Sequence, residues 1–175
     1  MKIAVMGYSG SGKSTLAQAL GAQYGVDVLH LDTVQFLPGW VIREEAEKER
    51  MVRSFLDAHG AAGWVVDGNY SKLSFQRRLE EADLIVLLLF NRFAALGRVV
   101  RRYLAYRGRY RPDMAEGCPE KLDAEFAWWV LHKGRDRRGR ALWRQIKARY
   151  PEKTVILKNQ REIDAFLHKM REDVE

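Results

Sequence analysis

The chain has 175 residues, of which 47% are hydrophobic and 30% charged, with a formal net charge of +7 and one cysteine. This length predicts one domain, residues 1–175, with a buried core and a single site. The composition argues against disorder outside the last few residues and excludes a disulfide framework, and no apolar run approaches the roughly 20 residues of a membrane span.

Residues 2–6 read as a strand without a secretory n-region before it, so a cytoplasmic chain is expected. The stretch GYSGSGKST, Gly7 to Thr15, follows directly, and Leu16, Ala17, Leu20 and Tyr24 then recur at helical spacing up to Gly25. Val26 to Leu31 form a second strand ending at Asp32. Phe36, Pro38, Gly39 and Trp40 mark an irregular connection. A helix is predicted from about Ile42 to Ala58, with Val52, Phe55 and Leu56 on its inner face and the charged run Arg43 to Arg50 on the others. Trp64 to Val66 form a third strand before Asp67, Gly68, Asn69 and Tyr70, and Leu84 to Phe90 a fourth, apolar almost throughout as in a sheet covered on both faces. Helical spacing returns from Phe93 to Arg107. Gly108 to Pro119 read as a loop and Asp123 to Arg149 as helix broken near Gly134 or Gly139. Trp128, Trp129 and Trp143 are assigned to the core. Thr154 to Leu157 make a fifth strand and Ile163, Phe166, Leu167 and Met170 the inner face of a last helix. Strands alternating with helices predict an α/β fold, a five-stranded parallel sheet with helices on both faces and its ligand at the carboxyl ends of the strands.

Gly7, Gly12, Lys13 and Ser14 fit G-x-x-x-x-G-K-[ST] between a strand and a helix. Such a loop turns its backbone N–H groups, here those of Gly7 and Ser9 to Thr15, onto phosphate, where the helix dipole favours the anion. Lys13 supplies mobile positive charge, Ser14 a hard oxygen for Mg²⁺, and Thr15 reaches the α-phosphate. Asp67 and Asp32 follow the third and second predicted strands, and both face the rim above the phosphate loop if those strands flank the first or each other. Asp67 is the expected metal partner of Ser14, and Asp32 the group that orients or deprotonates an acceptor hydroxyl. Phe36, Trp40, Asn69 and Tyr70, with Asp32, are the candidate lining of the acceptor pocket.

The positive charge is concentrated: residues 92–149 hold 16 of the 30 Lys and Arg but 6 of the 23 Asp and Glu. Arg98 and Arg102, at i and i+4, share a helix face and form a candidate clamp on the transferring phosphates. Arg138, among Arg135, Arg137 and Arg140, marks a candidate cover, residues 108–140, bounded by glycines and able to exclude water. The same basic segment suits a nucleic-acid backbone, the alternative partner. It carries no helix-turn-helix, zinc-finger or stacking-platform pattern.

The stretches GYSGSGKST, LHLDTVQFLPGW, WVVDGNYSK, RYLAYRGRYRPDMAEGCPEKLD and VILKNQREIDAFL together resemble the small bacterial P-loop proteins known as DNA topology modulation proteins, the FlaR-type group, nearly end to end. That group is in turn similar to adenylate and shikimate kinases. The resemblance implies a P-loop kinase-like fold with a helical lid, a Mg²⁺-side role for Asp67, paired arginines at Arg98 and Arg102, and an adenine-contacting loop at Lys158 and Asn159. Residues and resemblance together lead to the expectation of an ATP- and Mg²⁺-dependent phosphotransferase acting on a small hydroxyl- or phosphate-bearing acceptor. The rival expectation is a nucleotide-dependent DNA-binding protein. The identity of the acceptor, the oligomeric state and the role of Cys118 stay open at this level.

Overall fold

The computed structural model describes residues 1–107 and 113–172. In chain order the elements are β1 (Lys2–Gly7), α1 (Lys13–Tyr24), β2 (Asp27–His30), the short α2 (Leu31–Gln35), a small hairpin of β3 (Phe36–Leu37) and β4 (Val41–Ile42), then α3 (Glu45–Ala58) and β5 (Trp64–Asp67). There follow α4 (Phe75–Glu81), β6 (Leu84–Leu88), α5 (Arg92–Ala105), α6 (Ala124–Leu131), α7 (Arg137–Arg149), β7 (Thr154–Leu157) and α8 (Gln160–Glu172).

β1 is apolar from Ile3 to Met6 because it lies in the middle of the main sheet, whose order is β2-β5-β1-β6-β7 with every neighbouring pair parallel. The two-residue period of a strand sorts these side chains onto two faces. Ile3, Val5, Val65, Val86 and Leu88 pack against Leu16, Ala17 and Leu20 of α1 and Ile163 of α8. Ala4, Met6, Val66, Ile85 and Leu87 pack on the opposite face against Val52 and Leu56 of α3 and Trp143 and Ile146 of α7. Each fully buried Leu, Ile or Val contributes about 1.5–3 kcal/mol, so this double layer is the main source of stability. A smaller cluster of Ala95, Val99 and Val130 joins α5 to α6. No helix among the described residues is long and apolar enough to cross a membrane.

Several expectations need correction. The connection after Asp32 is ordered as α2 and the hairpin, and α3 starts at Glu45, where Glu44 accepts a hydrogen bond from the Glu47 N–H and caps the helix. Lys48 does not belong to a solvated face: it is 4% exposed, one turn before Val52 on the inner stripe of α3. Of the two expected break points the one beside Gly134 holds, the helix breaking at residues 132–136, whereas Gly139 lies inside α7 and donates its N–H to the capping Asp136. Trp143 is in the core, but Trp128 and Trp129 are 59% and 42% exposed. Residues 108–112 of the expected cover lie outside the described residues.

Candidate active site

The phosphate loop is held by two neighbours. Gly7 has φ +138, a conformation that side-chain-bearing residues rarely adopt, and a Cβ there would collide with the Leu88 carbonyl of β6. From the other side Asn69 brackets the same residue: its Oδ1 accepts from Gly7 N at 3.0 Å and its Nδ2 donates to Gly7 O at 2.7 Å. Ser11 is fully buried and donates its hydroxyl to Tyr8 O at 2.7 Å, so it shapes the loop from within. Lys13 Nζ rests on the same carbonyl at 3.2 Å. Gly12, at φ +92, starts α1 without a side-chain cap, whereas α3, α5, α6 and α7 are capped by Glu44, Asn91, Asp123 and Asp136. The first-turn N–H groups of α1 therefore remain for an anionic ligand.

The loop opens into a cavity of about 1360 Å³. Ser9, Gly10, Gly12, Lys13, Ser14 and Thr15 line its floor, while Gly7 and Ser11 stand behind it. Asp67 reaches the wall from the end of β5. The β2–β5 register sets it opposite His30, whose Nδ1 lies 3.1 Å from Asp67 Oδ2. Asp67 Oδ1 is buried with no hydrogen-bond partner among the described residues. An orphaned carboxylate oxygen on a residue that lines the same cavity as Ser14 of the phosphate loop fits Mg²⁺, which takes few protein oxygens and keeps the rest of its shell for water and phosphate. Among the described residues no cluster of three His, Cys, Asp or Glu suits a metal held by protein alone.

Asp32, Phe36, Trp40, Asn69 and Tyr70 all line the same cavity. Tyr70 donates its hydroxyl to Asp32 Oδ1 at 2.6 Å. Burial, with the negative charges of Asp32 and then Asp67, pushes the phenol well above its ordinary range, so it remains a neutral donor. Asn69 differs from expectation in that both ends of its amide engage Gly7. Its function is to position the loop. Phe36 and Trp40 meet edge to face at 5.2 Å, and Trp40 has φ 65, an uncommon backbone state that marks the hairpin tip as a constrained position. Arg78, fully buried on α4, donates to the carbonyls of Gly68, Tyr70 and Leu73 and so fixes the loop carrying Asn69 and Tyr70; burial pushes its pKa down to about 10.

The basic side of the cavity departs further from the sequence reading. Arg98 does lean over the loop: a Cβ on Gly12 would stand 2.5 Å from its Nη2, and its Nη1 donates to Gln160 at 2.6 Å. Burial lowers its pKa, as does the nearby charge of Arg101. Arg102 shares the wall but is paired with Glu120, whose Oε1 accepts from its Nε at 2.9 Å and its Nη2 at 2.7 Å. It thus anchors the covering segment to α5. Arg138 is exposed on the first turn of α7 and does not line the cavity. The arginine of that cluster in contact with the loop is Arg135, 4.0 Å from the centre of the Tyr8 ring and donating to Phe90 O and Val130 O. Its Nη2 is buried without a partner among the described residues, and burial lowers its pKa.

Met114, Glu120, Phe126, Trp129 and Gly134 close the cavity from the expected cover. This segment is fastened to the hairpin. Gly39 N donates to Gly117 O at 2.9 Å, Cys118 Sγ donates to Leu37 O at 3.3 Å, and Met114, Ala115 and Cys118 pack with Phe36 and Trp40. A smaller cavity of about 330 Å³ shares Arg98, Arg101 and Gln160 with the large one and is lined by Lys158 and Asn159. Asn159 also caps α8, accepting from Glu162 N at 3.0 Å.

His30, behind Asp67, and Lys48, on the cavity wall, were not singled out from the sequence, and Arg135 was named only as a member of the basic cluster around Arg138. The signal for Lys48 was present, since it continues the i, i+4, i+8 stripe of Val52 and Leu56.

No protein-family model matches the sequence, and no curated protein matches it. Solved structures do. The chain is similar to shikimate kinase from Acinetobacter baumannii in complex with shikimate, with a TM-score of 0.60 and 18% identity over 99% of this chain and 92% of that one. It is also similar to deoxyadenosine kinase from M. mycoides with bound dATP (TM-score 0.56, 14% identity, 97% of this chain and 99% of that one). A third likeness is to a gluconokinase from Sinorhizobium meliloti 1021 (TM-score 0.50, 19% identity, 99% and 94%). The class is therefore an α/β single domain with the fold of P-loop kinases, its five-stranded parallel sheet flanked by helices.

Proposed function

We propose that the protein is an ATP-dependent phosphotransferase acting on a small hydroxyl-bearing acceptor. The observation that carries this reading is the convergence of three unlike groups on one cavity: the uncapped phosphate loop, Asp67 with an orphaned oxygen, and Asp32 held by Tyr70. A protein that only holds nucleotide has no need of the third. The smaller cavity at Lys158 and Asn159 is the adenine end, and the segment from Asp113 to Arg135 acts as the cover.

In this reading the loop N–H groups and Lys13 hold the β- and γ-phosphates, and Arg98 and Arg135 add positive charge beside them. The acceptor oxygen attacks the γ-phosphorus, its proton passes to the Asp32 carboxylate, and the bond between the γ-phosphorus and the β–γ bridging oxygen breaks to release ADP. Ser14 and Asp67 would hold Mg²⁺, which when bound neutralises developing charge on the phosphate oxygens. The fastened cover and hairpin exclude water, the competing acceptor.

The test is a panel of hydroxyl-bearing metabolites and nucleosides incubated with ATP and Mg²⁺ and read by mass spectrometry. A phosphorylated product whose formation is lost in Lys13→Ala is expected. ATP binding without any product, or product formation undiminished in Lys13→Ala, would overturn the reading.

A further inference from the structure

The acceptor wall continues past Asp32. Asp32 and Gln35 stand three residues apart on α2, a spacing that places two side chains on one helix face with Cβ atoms about 5–6 Å apart. Gln35 Oε1 accepts from Lys48 Nζ at 3.1 Å, and both residues line the cavity. Carboxylate, amide and ammonium thus form a row across α2 and α3. An ammonium carries three N–H donors. One is used by Gln35, and the half-exposed carboxylate of Glu45, which also lines the cavity, forms an ion pair with it at 3.8 Å, too long for a hydrogen bond, through the same oxygen that stands 3.6 Å from Lys72. A cation buried to this degree is costly unless it is paired and hydrogen-bonded, and an apolar residue would extend the Val52 and Leu56 stripe without that cost.

We infer that this end of the cavity is an anion subsite: the molecule that receives the phosphate carries a carboxylate or phosphate group bound by Lys48, about one helical turn from the hydroxyl that Asp32 engages. The acceptor role rests on the phosphotransferase reading above, whereas anion binding at Lys48 stands by itself. The substrate class is then a small hydroxy acid or a phosphorylated polyol, and a neutral polyol of the same length binds more weakly because its hydroxyl oxygen accepts from the ammonium without bringing an opposing charge.

Calorimetric titration of matched probes tests this, with glycerol set against glycerate and glycerol 3-phosphate, and sorbitol against gluconate. The anionic members are expected to bind on the order of tenfold more tightly than the neutral ones, glycerate and gluconate reporting a carboxylate subsite and glycerol 3-phosphate a phosphate one. Lys48→Met should weaken anion binding on the order of tenfold or more, and Lys48→Arg should retain it. Equal binding of anionic and neutral probes, no binding at millimolar concentration, or anion binding that survives Lys48→Met and so belongs to the phosphate loop, would each overturn the proposal. If Lys48→Met does not fold, Lys48→Gln and the wild-type comparison of anion with polyol decide it by the same criteria. ATP titration of the same protein separates the two claims: anions held at Lys48 without ATP binding sink the phosphotransferase reading and leave the subsite standing, and ATP turnover with no preference for anions does the reverse.

Discussion

The phosphate-loop wall of the cavity is made by the end of β5 and by the loop and helix that continue the adjacent strand β1. The other wall is made by α2, a hairpin of two-residue strands, a buried lysine from α3 and a covering segment from far along the chain. One wall inherits its rigidity from a sheet buried on both faces. The other is assembled from short pieces held by single hydrogen bonds, such as Gly39 to Gly117 and Cys118 to Leu37. Where precision comes from the sheet, substitutions should abolish chemistry for every acceptor; where it comes from small contacts, they should change which acceptor is used.

Lys13→Ala should have the largest effect, lowering turnover about 10³-fold or more with the melting temperature unchanged, because the lysine contributes charge and no core packing. Asn69→Ala comes next. Loss of both bonds to Gly7 should raise KM for ATP about tenfold and cost about 1–2 kcal/mol in stability, measured by ATP titration and chemical denaturation. Its neighbour Tyr70 tests the other wall: Tyr70→Phe should raise KM for the acceptor several-fold while leaving ATP affinity intact, since Asp32 alone loses a donor. If both variants changed the same kinetic constant, the division into two walls would fail. The smallest effect concerns Glu49, which accepts two hydrogen bonds from Ser74 at the start of the loop-fixing α4. Burial raises its pKa, but the Ser74 bonds and Arg53 outweigh burial and hold the carboxyl below its ordinary value of 4.5. A depressed carboxyl stabilises the fold above that value and loses its contribution as pH falls through the folded pKa. Wild-type melting temperature should therefore drop more steeply below pH 4.5 than that of Glu49→Gln.

The same division explains what could be read from sequence. The strand, loop and helix from Lys2 to Tyr24 form a contiguous signal, because the phosphate cradle needs glycines and a helix start within nine residues, Gly7 to Thr15. Asp32 and Asp67 were legible as acids that follow apolar strands. His30 was not, because its partnership with Asp67 follows from β2 pairing with β5, a choice of strand order that no local pattern carries. Arg135 and Arg138 are alike as sequence; the turn after α6 brings one onto Tyr8 and leaves the other in solvent. The pairing of Arg102 with Glu120 spans 18 residues, and periodicity on α5 reveals only that the arginine faces the cleft.

The end of β5 and the loop after it bring the acid with the orphaned oxygen, the brace of the phosphate loop and the donor to Asp32 within four consecutive residues, Asp67 to Tyr70, backed by the three carbonyl bonds of Arg78. A rigid span of that kind behaves as a balance beam. Weight placed at the acceptor end is felt at the nucleotide end, so the first substrate to arrive should improve the grip on the second. Each substrate is then expected to lower the dissociation constant of the other by the same factor, and Arg78→Met, by loosening the beam, should make the two bindings independent.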